Sequence, residues 1–267
     1  MSGESAFRRI VIMCDGTCDI LPAVSEAAAL AARWGVALHG IYLEDENLRR
    51  LAELPFGQQV SLSSGALSEG LSGSDIETLS SALGAGMRRA VAAAAGKQGI
   101  EWSFGSTRDF TAALALEAGE QDMLIVEGST RAFSGAWSPL SSFHARASAY
   151  TTSVLIRRRE NPGRGVVIVL ASRPQRPEAL SQIAQAMAVG EEEIIFIAAE
   201  AGSPTKRAPL IAGNRKIRIE KQAKDEIGLA RQIASYSPRL VILESEQGDL
   251  APRLLSLLHA DLLMLRF

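Results

Sequence analysis

The chain has 267 residues, 28 of them basic and 30 acidic, for a net charge of −2, so it offers no global cationic surface to nucleic-acid phosphates. Hydrophobic residues make up 47% and charged residues 22%, an ordinary globular balance that suits one large domain or two of about 130 residues each. Two cysteines, Cys14 and Cys18, make no disulfide framework, the opening MSGESAFRRI has no apolar signal region, and no stretch reaches the ~18 apolar residues of a membrane span; the expected setting is the cytoplasm.

Arg9 to Cys14 is a short apolar run closed by Asp15-Gly16, which predicts a buried parallel strand ending in a turn. Pro22 to Trp34 is alanine-rich and stopped by Gly35, a helix with a glycine end. Ala37 to Leu43 reads as the next strand. Residues 61–75 hold six serines and three glycines and predict a mobile inserted loop over about 57–75. Ile76, Leu79, Leu83, Met87, Ala90, Val91 and Ala94 recur at helical spacing and define the buried stripe of a long helix. Ile100, Trp102 and Phe104 alternate with polar residues, as a strand near a sheet edge does. Phe110 to Ala118 predicts a helix, Asp122 to Val126 a strand entering Glu127-Gly128, a helix starts near Ser142, and Thr152 to Arg157 is a last strand. Arg157-Arg158-Arg159 reads as a solvated strand end.

The pattern then restarts. Asn161-Pro162-Gly163-Arg164-Gly165 is a linker. Val166 to Leu170, Ile194 to Ala198, Lys216 to Glu220, Leu240 to Leu243 and Asp261 to Phe267 predict strands, separated by helices over Pro177 to Ala188, Asp225 to Ala234 and Leu250 to His259. Strands alternating with helices imply parallel sheets covered on both faces, and the repeated order implies an internal repeat. The expected fold is α/β: two tandem doubly wound parallel five-stranded sheets, one in residues 1–160 and a shorter one in 161–267. The two would pack as a pseudo-dimer through Ser153 to Arg157 and Leu262 to Arg266, strands that otherwise leave open edges.

The first half resembles the universal stress protein family. The resemblance lies in Ile10-Val11-Ile12-Met13-Cys14-Asp15-Gly16-Thr17, in Gly35 to Gly40, in Asp122-Met123-Leu124-Ile125-Val126-Glu127-Gly128-Ser129 and in Thr152 to Ile156; it covers residues 8–158. The second half is similar in strand order and hydrophobic spacing. ATP-binding members carry, after the fourth strand, a glycine, two residues, a glycine, nine residues, a glycine and then Ser or Thr. Glycines let the backbone approach phosphates with its N–H groups, and the hydroxyl opens a helix whose N-terminus favours anions. The resemblance implies an ATP or AMP site made of Asp15, Gly16, Leu43, Gly128, Ser129, Arg131, Ser141 and Ser142. Arg131 stands at the second glycine and Ser141 at the third. Two readings follow. Arg131 is either a substitute phosphate clamp or a solvated loop residue, with Ser141 and Ser142 capping a helix. In the second half Ser172 replaces Asp15, and Glu244-Ser245-Glu246 has no glycine and two carboxylates that repel phosphate.

Other candidates read as structural. Gly84-Ala85-Gly86 lies inside a helix with no preceding strand, so it predicts packing rather than a dinucleotide fingerprint. Gly96-Lys97 lacks the rest of a P-loop. His39, His144 and His259 have no companions at metal-ligand spacing, and His39 predicts a satisfied histidine in a strand. Trp34 reads as packing, and Trp137 as a base-stacking residue or a flap over a vacated site. There is no nucleophile elbow. The sequence therefore predicts a non-enzymatic binding or regulatory module of stress-protein type. It acts on an unidentified protein partner, with nucleotide binding weakened or lost and homodimers possible. The alternative is an ATP- or AMP-binding stress sensor with one site in the first half.

Overall fold

Residues 10–14 are apolar without interruption and each is at most 1% exposed, which is what a strand covered on both faces requires. They lie in β1 (Arg9–Asp15). The computed structural model describes residues 6–15, 20–44, 50, 58–60, 67–69, 72–108, 119, 121–128, 152–158, 163–171, 177–198, 215–244, 247 and 250–266. After β1 come α1 (Ile20–Trp34), β2 (Ala37–Leu43), β3 (Gln58–Val60), β4 (Leu67–Glu69), α2 (Gly73–Gln98), β5 (Trp102–Thr107), β6 (Asp122–Gly128) and β7 (Ser153–Arg158). The second half supplies β8 (Val166–Ala171), α3 (Pro177–Met187), β9 (Ile194–Ala198), β10 (Ile217–Lys221), α4 (Glu226–Ser235), β11 (Pro238–Glu244), α5 (Ala251–Leu257) and β12 (Asp261–Leu265).

Ten strands form one sheet in the order β10-β9-β8-β11-β12-β7-β6-β1-β2-β5. Read outward from the centre, each half has the same order: fifth strand, fourth, first, second, third. All pairings in this sheet are parallel except one. Strands β7 and β12 pair antiparallel, with Leu155 opposite Leu263, Val154 opposite Met264 and Ile156 opposite Leu262. The two expected sheets are thus fused edge to edge through their fifth strands. This register sets a pseudo-two-fold axis normal to the sheet between Leu155 and Leu263. Helices α1, α2 and α3 cover one face of the sheet, and α4 and α5 pack on the other. The axis brings α1 and α3 together, and the Arg33 guanidinium donates to the Ala186 carbonyl between them.

Local chemistry explains the element ends. Ser72 and Asp75 form a reciprocal capping box at the start of α2, satisfying two helix N–H groups that have no intrahelical partner. Phe7 and Trp34 meet at 4.9 Å between ring centroids, tilted by 56°, so Trp34 is a packing residue. Gly165 sits at φ 150°, and a Cβ there would lie 2.5 Å from the Ser237 carbonyl oxygen. Only glycine lets the start of β8 approach the start of β11 so closely.

Several expectations need revision. The serine-rich stretch contains the β3–β4 hairpin, paired Gln58 to Glu69 and Val60 to Leu67, and α2 begins within it at Gly73. Leu79 is 48% exposed, whereas Gly84 and Ala95 join Ile76, Met87 and Val91 on the buried face of α2. Gly84 lies against the Tyr42 ring, 3.1 Å from where a Cβ would stand, and so serves packing. Arg157 and Arg158 are not a solvated end: Arg157 pairs with Glu26 of α1 at 2.6 Å with 17% of its side chain exposed, and Arg158 donates to the Leu255 carbonyl of α5 at 2.8 Å. The helices expected over Phe110 to Ala118 and from Ser142 lie outside the described residues.

Candidate functional site

In a doubly wound sheet the crevice opens at the carboxyl ends of the strands, where successive connections leave to opposite faces. In the first half this point falls between β1 and β6. Their ladder stops at Met13–Val126, although β1 continues to Asp15 and β6 to Gly128. Asp15 ends β1 in a buried position, 3% exposed, beside Leu43 of β2 in the register.

Of the residues assigned to a nucleotide site, Asp15, Leu43 and Gly128 are brought to this end of the sheet. Leu43 is 1% exposed and its side chain belongs to the core. Gly16, Ser129, Arg131, Ser141 and Ser142 lie outside the described residues, as do Ser172, Ser245, Glu246, Trp137 and His144. The register adds two neighbours that sequence reasoning passed over. Glu127 lies beside Arg157, and Gly128 beside Arg158, so both arginines flank the strand that carries the glycine. Arg108 donates to Glu44 at 2.8 Å just beyond the paired ends Leu43 and Thr107. Both are contacts between residues far apart in sequence, and no local pattern announces them.

The second half repeats this geometry with different chemistry. The β8–β11 ladder stops at Leu170–Leu243, the positions equivalent to Met13 and Val126. Glu244 is therefore the counterpart of Glu127 in the register. In sequence, Ser172 and Ser245 stand where the first half has Asp15 and Gly128. The bases of the two fourth strands differ as well. Asp122 accepts from Arg9 at 2.7 Å and from the Gly119 N–H at 2.9 Å. Its counterpart Arg239 instead donates to Glu192 at 2.7 and 2.9 Å and to the Met187 carbonyl at 2.8 Å.

His39 is buried, with Nδ1 2.6 Å from the Ser103 hydroxyl oxygen, as a satisfied histidine should be. Among the described residues no group of three His, Cys, Asp or Glu side chains could hold a metal ion, and no helix is long and apolar enough to cross a membrane.

The strand order and the crevice define a universal-stress-type α/β fold. A universal stress protein from Archaeoglobus fulgidus DSM 4304 superimposes with a TM-score of 0.55 at 9% identity, over 99% of each chain. A putative universal stress protein from Pseudomonas aeruginosa UCBPP-PA14 gives 0.52 at 12%, covering 98% of this chain and 94% of that one. A functionally unknown protein from Pseudomonas aeruginosa PAO1 gives 0.54 at 12%, covering 98% and 93%. At such identities the likeness is one of fold. No protein-family sequence model matches the chain, and no curated protein matches it by sequence.

Proposed function

We propose that the chain is a non-enzymatic binding module of universal stress type, cytoplasmic, that acts through a protein partner and has weakened or lost nucleotide binding. The observation that carries this reading is the difference between two sets of strand ends that share one register. One ends in Asp15 and Gly128, the sequence has Ser172 and Ser245 at the equivalent positions of the second half, and Arg131 and Ser141 follow Gly128 in sequence where phosphate-binding relatives have glycine. A non-glycine residue at positive φ costs ~1 kcal/mol or more, and each lost charge-assisted hydrogen bond costs about 1.5–3 kcal/mol. Two such losses lower affinity roughly a hundredfold or more.

A second reading has support of its own. Asp15 is held in a buried position at the point where β1 and β6 part, which suits an ATP or AMP sensor with one site. Titration calorimetry with ATP separates the two. The expected result is weak or undetectable binding by the wild type. Tight binding that weakens in Arg131→Gly with Ser141→Gly would make Arg131 a phosphate clamp and the sensor reading correct.

A further inference from the structure

Strands β5 and β10 close the two ends of the sheet, so each has one edge to which no described strand pairs. They are equivalent across the pseudo-two-fold: Trp102 corresponds to Ile217, Phe104 to Ile219 and Ser106 to Lys221. Their chemistry is not equivalent. Between Trp102 and Thr107, β5 has no charged side chain. Residues 215–224, around β10, carry five cations and one carboxylate, against one cation and two carboxylates (Glu101, Arg108 and Asp109) in the equivalent residues 100–109. A charged edge can serve only to prevent unwanted strand pairing, but β5 dispenses with charge in the same position of the same fold. Either sign would also serve that purpose, and here the charge is almost all of one sign.

Part of this charge is engaged: Arg215 donates to the Gln185, Ala188 and Gly190 carbonyls. Glu193 is shared between Lys216 at 3.5 Å and Arg218 at 3.3 Å, and Lys216 remains 72% exposed. Glu220 lies 3.3 Å from Arg218 and also accepts from the Tyr236 hydroxyl. Among the described residues no carboxylate forms an ion pair with Lys221 or Lys224. The acids that follow are turned elsewhere: Asp225 accepts the Gly228 N–H, and Glu226 pairs with Arg253.

The direction of the backbone completes the surface. The Ile194 N–H donates to the Lys216 carbonyl and the Gln222 N–H to the Ala198 carbonyl. Even-numbered residues of β10 therefore face β9, because a strand residue points its N–H and C=O to one side. Ile217 and Ile219 point theirs outward, as Lys221 does its N–H, while the outward Lys221 carbonyl accepts from Gln232 Nε2 at 3.0 Å. Ile219 also exposes 43% of its surface, an apolar side chain on the same face of the strand as Ile217 and Lys221.

We propose that the outer edge of β10 receives an extended acidic segment of a protein partner as an added strand. Backbone donors and acceptors would give the pairing, Ile219 would take an apolar side chain on one face of the strand, and Lys216 and Arg218 would meet alternating carboxylates on the other. An in-line row of peptide groups fits an extended polypeptide and not a phosphodiester, which favours peptide over nucleic acid. This deepens the partner-binding reading and rests on it.

The test is fluorescence anisotropy of the full chain with a labelled Glu-Val-Glu-Val-Glu-Val-Glu peptide, a Lys-Val analogue and single-stranded oligothymidylate. The wild type binds the acidic peptide in a salt-sensitive manner and ignores the basic one. Ile219→Pro removes the central outward N–H without touching the β9 ladder, as edge prolines do, and weakens binding about tenfold or more; Ile219→Val leaves it nearly unchanged. Lys216→Glu with Lys221→Glu also weakens it about tenfold. Where Ile219→Pro does not fold, hydrogen exchange on the wild type supplies the same answer: the Ile217, Ile219 and Lys221 amides become protected on adding peptide. No binding, binding without that protection or indifferent to Ile219→Pro, or tighter binding of oligothymidylate would each overturn the proposal. A blank peptide titration beside a blank ATP titration removes the acidic strand alone, whereas tight ATP binding removes the partner reading beneath it.

Discussion

Ser153 and Asp261 occupy the same position in the two halves, and each accepts the backbone N–H that follows the core of the other's strand. The Arg158 N–H donates to Asp261 Oδ1 at 2.7 Å, and the Arg266 N–H donates to Ser153 Oγ at 3.0 Å. The pair clamps both ends of the antiparallel β7–β12 seam. Asp261 is 5% and Ser153 1% exposed, so removing either acceptor strands a shielded donor.

Asp261→Ala is expected to lower unfolding free energy by about 2–3 kcal/mol, and Ser153→Ala by about 1–2 kcal/mol, because a carboxylate makes the stronger hydrogen bond. Urea denaturation of both variants checks the ranking. Equal losses would overturn the ranking, and negligible losses would show that the seam does not depend on these two hydrogen bonds.

The seam also sets the behaviour of the isolated first half. Residues 1–160 would present β7 as a bare apolar edge, which invites pairing with a second copy. The expected outcome is a homodimer or a markedly less stable protein, read by sedimentation equilibrium and thermal melting. A fully stable monomer would show that the halves fold without each other's fifth strand.

The linker contrasts two glycines. At Gly163, with φ 68°, a Cβ would meet nothing within 4 Å, while a Cβ on Gly165 would lie 2.5 Å from the Ser237 oxygen and 2.8 Å from the Arg239 nitrogen. Gly163→Ala should cost only the backbone strain, about 1 kcal/mol. Gly165→Ala should cost about 2–4 kcal/mol, because two backbone segments must separate. Chemical denaturation of the two variants side by side gives the difference.

Tyr236 titrates above the ordinary tyrosine value, first because its hydroxyl donates to Glu220 and then because burial disfavours the phenolate. A group whose folded pKa is raised stabilises the fold below its unfolded pKa of about 10 and loses that contribution as pH rises through the folded value. Phenolate absorbance of the wild type minus that of Tyr236→Phe should show a late titration. The wild type should also lose stability relative to Tyr236→Phe only above pH of about 10. An ordinary phenolic titration in the difference spectrum would remove the Glu220 hydrogen bond.

Strands were legible wherever an apolar run was long enough to be covered on both sides, as in Ile10 to Cys14 or Leu240 to Leu243. The fifth-strand seam was legible too, because Leu262 to Arg266 ends the repeat with an edge that needs covering. Leu79 misled because the helical period marks a face but not its width; the face of α2 narrows toward its N-terminal turns. Arg157 and Arg158 misled because their partners, Glu26 and the Leu255 carbonyl, come from helices on opposite faces of the sheet. Asp15 could be placed at the crevice from its position after the first strand, while the arginines beside Glu127 and Gly128 depend on register between β6 and β7, which no local pattern encodes.

A symmetric assembly of identical subunits expresses every substitution twice, so neither of its crevices can change alone. Here the seam at Leu155 and Leu263 lies within one polypeptide, and each half mutates separately. Arg239 can stand opposite Asp122 and Lys221 opposite Ser106 without a matching change across the axis. Covalent union thus frees each half to change its strand ends and its outer edge without a matching change in the other.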